Sequence, residues 1–241
     1  MENTDWFTSW FNTPYYHILY KDRNDADAQL FMQNITQFLQ LSKETHILDL
    51  PCGKGRHSVY LNSLGYRVTG GDLSENSIVH AKQFENDRLR FVVKDMRQSF
   101  RGQYNAIFNL FTSFGYFEND AEEILVLKNM KNSFLEDGVL VLDFLNVEKV
   151  KASLVKKEVK TVDGIDFHIE REIKDGFITK HISFSDQNED YSYTEHVKYL
   201  DLEKFKTYFT AAGLTLQHVF GDYQLSEFDP QTSDRLILVA K

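Results

Sequence analysis

The chain has 241 residues, enough for one domain with a substantial core, and its 42% apolar and 14% aromatic content is that of a globular protein. A net charge of −9, with no Lys/Arg cluster, argues against a nucleic-acid partner, which usually meets a basic face. The single cysteine, Cys52, excludes an intramolecular disulfide, and no apolar run approaches the roughly 18 residues that a membrane span needs.

The acidic start, Met1-Glu-Asn-Thr-Asp5, does not read as a signal peptide, so a cytoplasmic location without membrane contact is expected. Residues 5 to 24 are rich in rings: Trp6, Phe7, Trp10, Phe11, Tyr15, Tyr16 and Tyr20. They read either as a segment packed by its rings or as a lid over a ligand. Asn24 or Asp25 can cap a helix in which Leu30, Phe31, Ile35, Phe38 and Leu39 recur at helical spacing up to Leu41. Residues 1 to 45 are thus expected to form a helical N-terminal lid.

The central motif is His46-Ile-Leu-Asp-Leu-Pro-Cys-Gly-Lys-Gly-Arg-His-Ser58. A short apolar run ends in Asp49. Pro51 to Gly55 cannot continue a strand, and a helical pattern with Val59, Tyr60 and Leu64 begins at Arg56, with Gly65 as a stop. Strand, glycine turn and helix bring bare backbone N–H groups to a helix N-terminus, where a ligand can approach. The dinucleotide pattern G-x-G-x-x-G does not fit. Pro51 replaces the first glycine, no third glycine follows, and Asp49 disfavours a phosphate while suiting a cation.

Further strands are expected at Arg67 to Asp72, Leu89 to Val93, Tyr104 to Asn109 and Val139 to Leu145. Ser74 caps a helix with Ile78, Ala81 and Phe84 inward. Asn119 or Asp120 caps a longer one with Ile124, Leu127 and Phe134 inward, ended by Asp137-Gly138. The last of these strands is nearly continuously apolar, as expected of a strand covered on both faces. Strands alternating with helices imply a doubly wound, Rossmann-like sheet.

From about residue 151 the pattern changes. Asp163-Gly164 and Asp175-Gly176 are two-residue turn signals between alternating segments, so residues 151 to 200 read as an inserted antiparallel β-meander. Asp201 caps a final helix stopped by Gly213, and Leu214 to Phe220 and Arg235 to Ala240 close the sheet as a hairpin. The whole chain is expected to be one domain with a seven-stranded sheet and helices on both faces.

In these motifs the chain resembles the class I S-adenosylmethionine-dependent methyltransferases, whose first motif is an acid followed by a glycine turn. The resemblance covers residues 15 to 150 and 201 to 241. It implies S-adenosyl-L-methionine as cofactor and in-line transfer of its methyl group to a small-molecule acceptor. It implies cofactor contacts at Tyr16, Tyr20, Asp49, Cys52, Gly53, Gly55, Asp72, Leu73, Asp95, Met96 and Asn109. Asp72, 19 residues after Gly53, is expected to hold the ribose hydroxyls, and Leu73 to cover one face of the adenine. Asp95 and the following backbone N–H would read the adenine edge. Tyr16 and Tyr20 would lie near the methionine end, and Asn109 near the reactive methyl. In such proteins an insertion of this kind forms part of the substrate pocket or a dimer surface; here it can equally be a cover for the sheet, and a monomer or homodimer is expected. Asn109-Leu-Phe-Thr112 stands where nucleobase amino-methyltransferases carry Asn/Asp-Pro-Pro-Tyr, which argues against a base substrate.

Eight histidines are scattered without an H-E-x-x-H pair, so no metal is expected. His57 reads as a capping or packing residue or as a base. Cys52, near a helix N-terminus, is a candidate for a lowered pKa, but without an upstream relay of His and Asp a backbone-contact role is the better reading. No catalytic residue is assigned, because an activated donor requires alignment more than a base. The rival readings are an NAD(P)-dependent oxidoreductase, a cofactor-binding module without catalysis, and an RNA or protein methyltransferase.

Overall fold

The computed structural model describes residues 6–21, 25–100 and 102–241. Three helices come first: α1 (Trp6–Trp10), α2 (Pro14–Leu19) and α3 (Asp25–Phe38). Then follow β1 (His46–Asp49), α4 (Arg56–Ser63), β2 (Arg67–Asp72), α5 (Glu75–Ala81), β3 (Leu89–Val93), β4 (Tyr104–Asn109), α6 (Asp120–Asn132) and β5 (Phe134–Leu145). A short helix α7 (Val147–Ala152) leads into β6 (Lys157–Val162), β7 (Ile165–Lys174), β8 (Phe177–Asp186) and β9 (Glu189–Lys198). The chain closes with α8 (Leu202–Ala212), β10 (Leu216–Phe220) and β11 (Arg235–Ala240).

Seven strands form one sheet in the order β10-β11-β5-β4-β1-β2-β3. Strands β1 to β5 run parallel, and β11 is antiparallel to both β5 and β10. The continuous apolarity of β5 is explained by its two covered faces. Val139 and Val141 join the core beneath α3 and α4, and Leu140, Leu142 and Phe144 join the core beneath α6 and α8. Leu236 and Leu238 alternate with Ile237 and Val239 in the same way on β11. The doubly wound sheet expected from the sequence is the one observed.

A second sheet, β6-β7-β8-β9, is the antiparallel meander. Its first two turns have positive φ at Asp163, Gly164, Asp175 and Gly176, as a tight hairpin requires. A third turn, at Gln187-Asn188, uses the same backbone without glycine. Ile165, Phe167 and Ile169 are buried on one face, where they meet Trp10 and Leu19 of the N-terminal segment. The insert and the N-terminal helices therefore share a core, although some 140 residues separate them in sequence.

The helix starts follow the expected chemistry. Ser74 accepts from Ser77 N and Asp201 from Lys204 N. Asn119, rather than Asp120, caps α6 by accepting from Ala121 N at 2.9 Å. Asn119→Ala should cost about 1 kcal/mol and lower the melting temperature by about 2–4 °C; an unshifted thermal transition would contradict that role. Asn24 lies outside the described residues, and Asp25 opens α3. Three expectations are corrected. Helix α6 stops at Asn132, ahead of Asp137-Gly138, because Phe134 already joins β5 beside Tyr104. Phe38 is 41% exposed, lying edge-on to His218 and Phe220 at the sheet margin, and Phe84 falls in a 3-10 turn and is 43% exposed. The helix α7, capped by Asn146, is too short to show periodicity and was not expected. No helix among the described residues is long and apolar enough to cross a membrane.

Candidate active site

A cavity of about 520 Å³ opens at the C-terminal ends of β1, β2 and β4. Its walls come from the turn after β1, the ends of β2 and β3, the loop after β4, the N-terminal helices and one residue of β9. That is the crevice where open α/β sheets bind ligands.

Glycines shape the turn. Gly55 has φ +85°, and a Cβ there would stand 2.7 Å from the Phe91 ring, so any side chain would force the helix off the sheet. Gly53 has φ +54° and nothing within 4 Å of where its Cβ would stand. The Gly53 N–H donates to Asp72 Oδ2 at 2.7 Å, and Ser74 N donates to Asp72 Oδ1 at 2.8 Å. Asp72 thus ties the turn to the tip of β2 while its carboxylate faces the cavity. Burial raises its pKa, and the Ser74 and Gly53 amides oppose that rise.

Asp49 lies elsewhere. It is fully buried behind the turn, with Oδ2 accepting from Ser58 Oγ at 2.5 Å and Oδ1 without a partner. Burial pushes its pKa up to about 7; the Ser58 hydroxyl works against that rise and the Asp72 charge adds to it. Asn109 is also fully buried and off the cavity wall. Its amide donates to the carbonyls of Leu50 and Ser113, so it fastens the two loops that bound the site.

The other expected residues line the cavity: Tyr16, Tyr20, Cys52, Leu73, Asp95 and Met96. Burial would raise the Asp95 carboxyl, but hydrogen bonds from Arg97 outweigh it and hold the group low. Of the two readings of Cys52, the lowered pKa does not hold. Burial, then the Asp49 and Asp72 carboxylates, drive its thiol well above the ordinary value, so the helix N-terminus does not prevail. His57 stacks on Phe111 at 4.4 Å on the cavity wall. Among the described residues, no three His, Cys, Asp or Glu side chains gather as a metal-binding set.

One wall residue, not expected from the sequence, comes from the insert. Glu195 of β9 accepts from Trp10 Nε1 at 2.8 Å and from Tyr20 Oη at 2.6 Å, and pairs with Lys180 at 3.5 Å. Lys180 also donates to Tyr20 Oη. This network pins the N-terminal helices to the insert across the mouth of the cavity. Its signal lay in the sequence, as an acid at the same parity as Tyr191, Tyr193 and Val197.

Residues 47–138 match the family model described as a methyltransferase domain. Over 107 residues the chain is 33% identical to the putative methyltransferase YqeM of Bacillus subtilis (strain 168), covering 43% of each protein. It is 32% identical over 136 residues to the glycine/sarcosine N-methyltransferase of Halorhodospira halochloris, covering 53% of this chain and 48% of that one. The matches therefore span less than half of these relatives' lengths. A solved S-adenosylmethionine-dependent methyltransferase from Clostridium acetobutylicum ATCC 824 superimposes with a TM-score of 0.79 at 17% identity, over 94% of this chain and 95% of that one. A stretch that matches the methyltransferase domain model thus sits within a chain that carries the fold of the S-adenosylmethionine-dependent methyltransferases.

Proposed function

We propose that this protein is an S-adenosylmethionine-dependent methyltransferase acting on a small-molecule acceptor. The observation that carries the reading is the pairing of Gly53 with Asp72. The turn amide that would face a pyrophosphate in a dinucleotide site is occupied by a carboxylate, and that carboxylate borders the cavity. A fixed anion there repels phosphate and suits hydroxyl donors and cations. The open space at Gly53 admits a ligand against bare backbone.

Asp72 would hold the ribose hydroxyls and Leu73 one adenine face, with Asp95 and the Met96 backbone at the adenine edge. Tyr16 and Tyr20 would border the methionine end. Asp49 and Asn109, off the wall, would act by holding the turn and the loop after β4. The cofactor supplies a methyl group on a sulfonium sulfur, already activated for displacement. What remains for the protein is to align the acceptor in line and exclude water. The rings of Phe7, Phe11, Tyr16, Tyr116 and Phe117 on the remaining walls suit both tasks and favour a compact acceptor over a protein segment. The relative from Halorhodospira halochloris, a glycine/sarcosine N-methyltransferase by name, agrees with an acceptor of that size.

Thermal unfolding tests this. S-adenosylhomocysteine at about 100 times its Kd should raise the melting temperature by about 5–10 °C, and NADH should not. Protection by NADH alone would overturn the reading.

A further inference from the structure

Asp143 is the one acid in the apolar run of β5 from Val139 to Leu145, and it is fully buried. Its Oδ1 accepts from Arg235 Nε at 2.7 Å. Its Oδ2 accepts from the backbone N–H of Phe111 at 2.8 Å and from Tyr223 Oη at 3.3 Å. Its own carbonyl accepts from Thr112 N at 2.9 Å. Arg235, at the start of β11, reaches on with Nη2 to Thr112 Oγ1 at 3.0 Å. Four of these five contacts converge on one short loop, Phe111–Thr112, and on Tyr223 beside it, and the fifth joins Asp143 to Arg235.

That loop is strained. Phe111 has φ 59° and Thr112 has φ 61°, and neither is glycine. A β-branched residue in the left-handed region is uncommon and persists only where its surroundings over-determine it. Here they do: the Asp143 carboxylate binds the Phe111 N–H, the Asp143 main-chain carbonyl binds the Thr112 N–H, and the Arg235 guanidinium binds the Thr112 hydroxyl. The loop is also a wall of the cavity, since Leu110, Phe111, Thr112 and Ser113 all line it and the Phe111 ring carries His57. A buried ion pair is weak evidence for stability, because desolvation offsets its Coulombic gain. Strain held at a cavity wall is better explained by what it positions.

We infer that Asp143 and Arg235 are positioning residues: from the core of the sheet they hold Phe111 and Thr112 in a strained backbone that shapes the cofactor-side wall of the cavity. The effect on cofactor binding rests on the reading given under Proposed function; the effect on the loop does not.

Two variants separate positioning from mere support. Arg235→Lys keeps the charge but loses the fork that reaches Asp143 and Thr112 together. Thr112→Gly relieves the strain and removes only the hydroxyl contact, so the urea midpoint of the fold should hold or rise. Amide exchange at Phe111 and Thr112 should quicken about tenfold in both variants while the amides of β1 stay protected. Binding of S-adenosylhomocysteine, measured by calorimetry, should weaken about tenfold in both. Unchanged exchange at the two amides would overturn the strut, whether or not any ligand binds. Faster exchange with unchanged affinity, or affinity that falls only as far as stability falls, would overturn the positioning role. A wild-type protein that ignores S-adenosylhomocysteine would instead overturn the cofactor reading, and exchange alone would then decide the strut.

Discussion

Asp72→Ala should weaken S-adenosylhomocysteine binding by about 1.5–3 kcal/mol, roughly 10- to 150-fold, the scale of hydrogen bonds to a charged acceptor. The wild-type carboxylate has two tasks. It faces the cavity, and it accepts from Gly53 N and Ser74 N. Alanine removes the ribose acceptor and also releases the turn that carries Gly53, so the loss should fall toward the upper end of that range. Asp72→Asn keeps one acceptor oxygen and should give an intermediate loss. Calorimetric titration of the three proteins checks this order. Equal affinity in all three would remove Asp72 from the site and with it the reason for preferring a phosphate-free ligand.

Asp49→Asn should stabilise the free protein at pH 8 by about 4 kcal/mol and leave it unchanged near pH 4. The sign follows from the direction of the shift. The folded-state pKa is about 7, against an ordinary 3.8. Between those values the unfolded chain sheds the Asp49 proton and the folded chain keeps it. Stability therefore falls as pH rises through that window, and the loss is complete above it. Asparagine cannot ionise and escapes the loss, while its amide oxygen can still accept from Ser58. Glu123, also buried and raised to about 7, gives the same slope from a second site, so the variant should keep part of it. Urea unfolding at pH 4 and pH 8 reads the difference. A variant less stable than wild type at pH 8 would show that the buried carboxylate has a compensating partner. The gain should come with weaker binding of the sulfonium cofactor, because the charge behind the turn would be gone.

The site was partly legible in the chain. Strand, turn and helix signals fix the spacing of Asp49, Gly53, Gly55 and Asp72 locally, but of these only Gly53 and Asp72 line the cavity. Leu73, Asp95 and Met96 came from the resemblance to the methyltransferases, and all three line the cavity. Glu195 and Asp143 each broke an apolar pattern, an acid at the inward parity of β9 and an acid inside β5. Those breaks were visible, but their partners lie far away: Trp10 is 185 residues from Glu195, and Arg235 is 92 residues from Asp143. Pairing at that separation is a property of topology, and no local spacing encodes it. The direction of the Cys52 shift lies beyond local signals for a related reason. A helix N-terminus is a local feature that favours a thiolate, whereas burial and two nearby carboxylates arise only when the strands assemble.

By itself the sequence determined the order of the sheet strands, the doubly wound sheet, the sided insert and the glycine turn, because each depends on periodicity, capping and backbone freedom within about 10–15 residues. Only the tertiary structure decided which carboxylate meets the cavity and which stands behind it. It also decided that the N-terminal helices share a core with the insert, and that a buried ion pair governs the loop after β4. Such outcomes turn on burial and on contacts between distant segments, and both come into being only when the layers close.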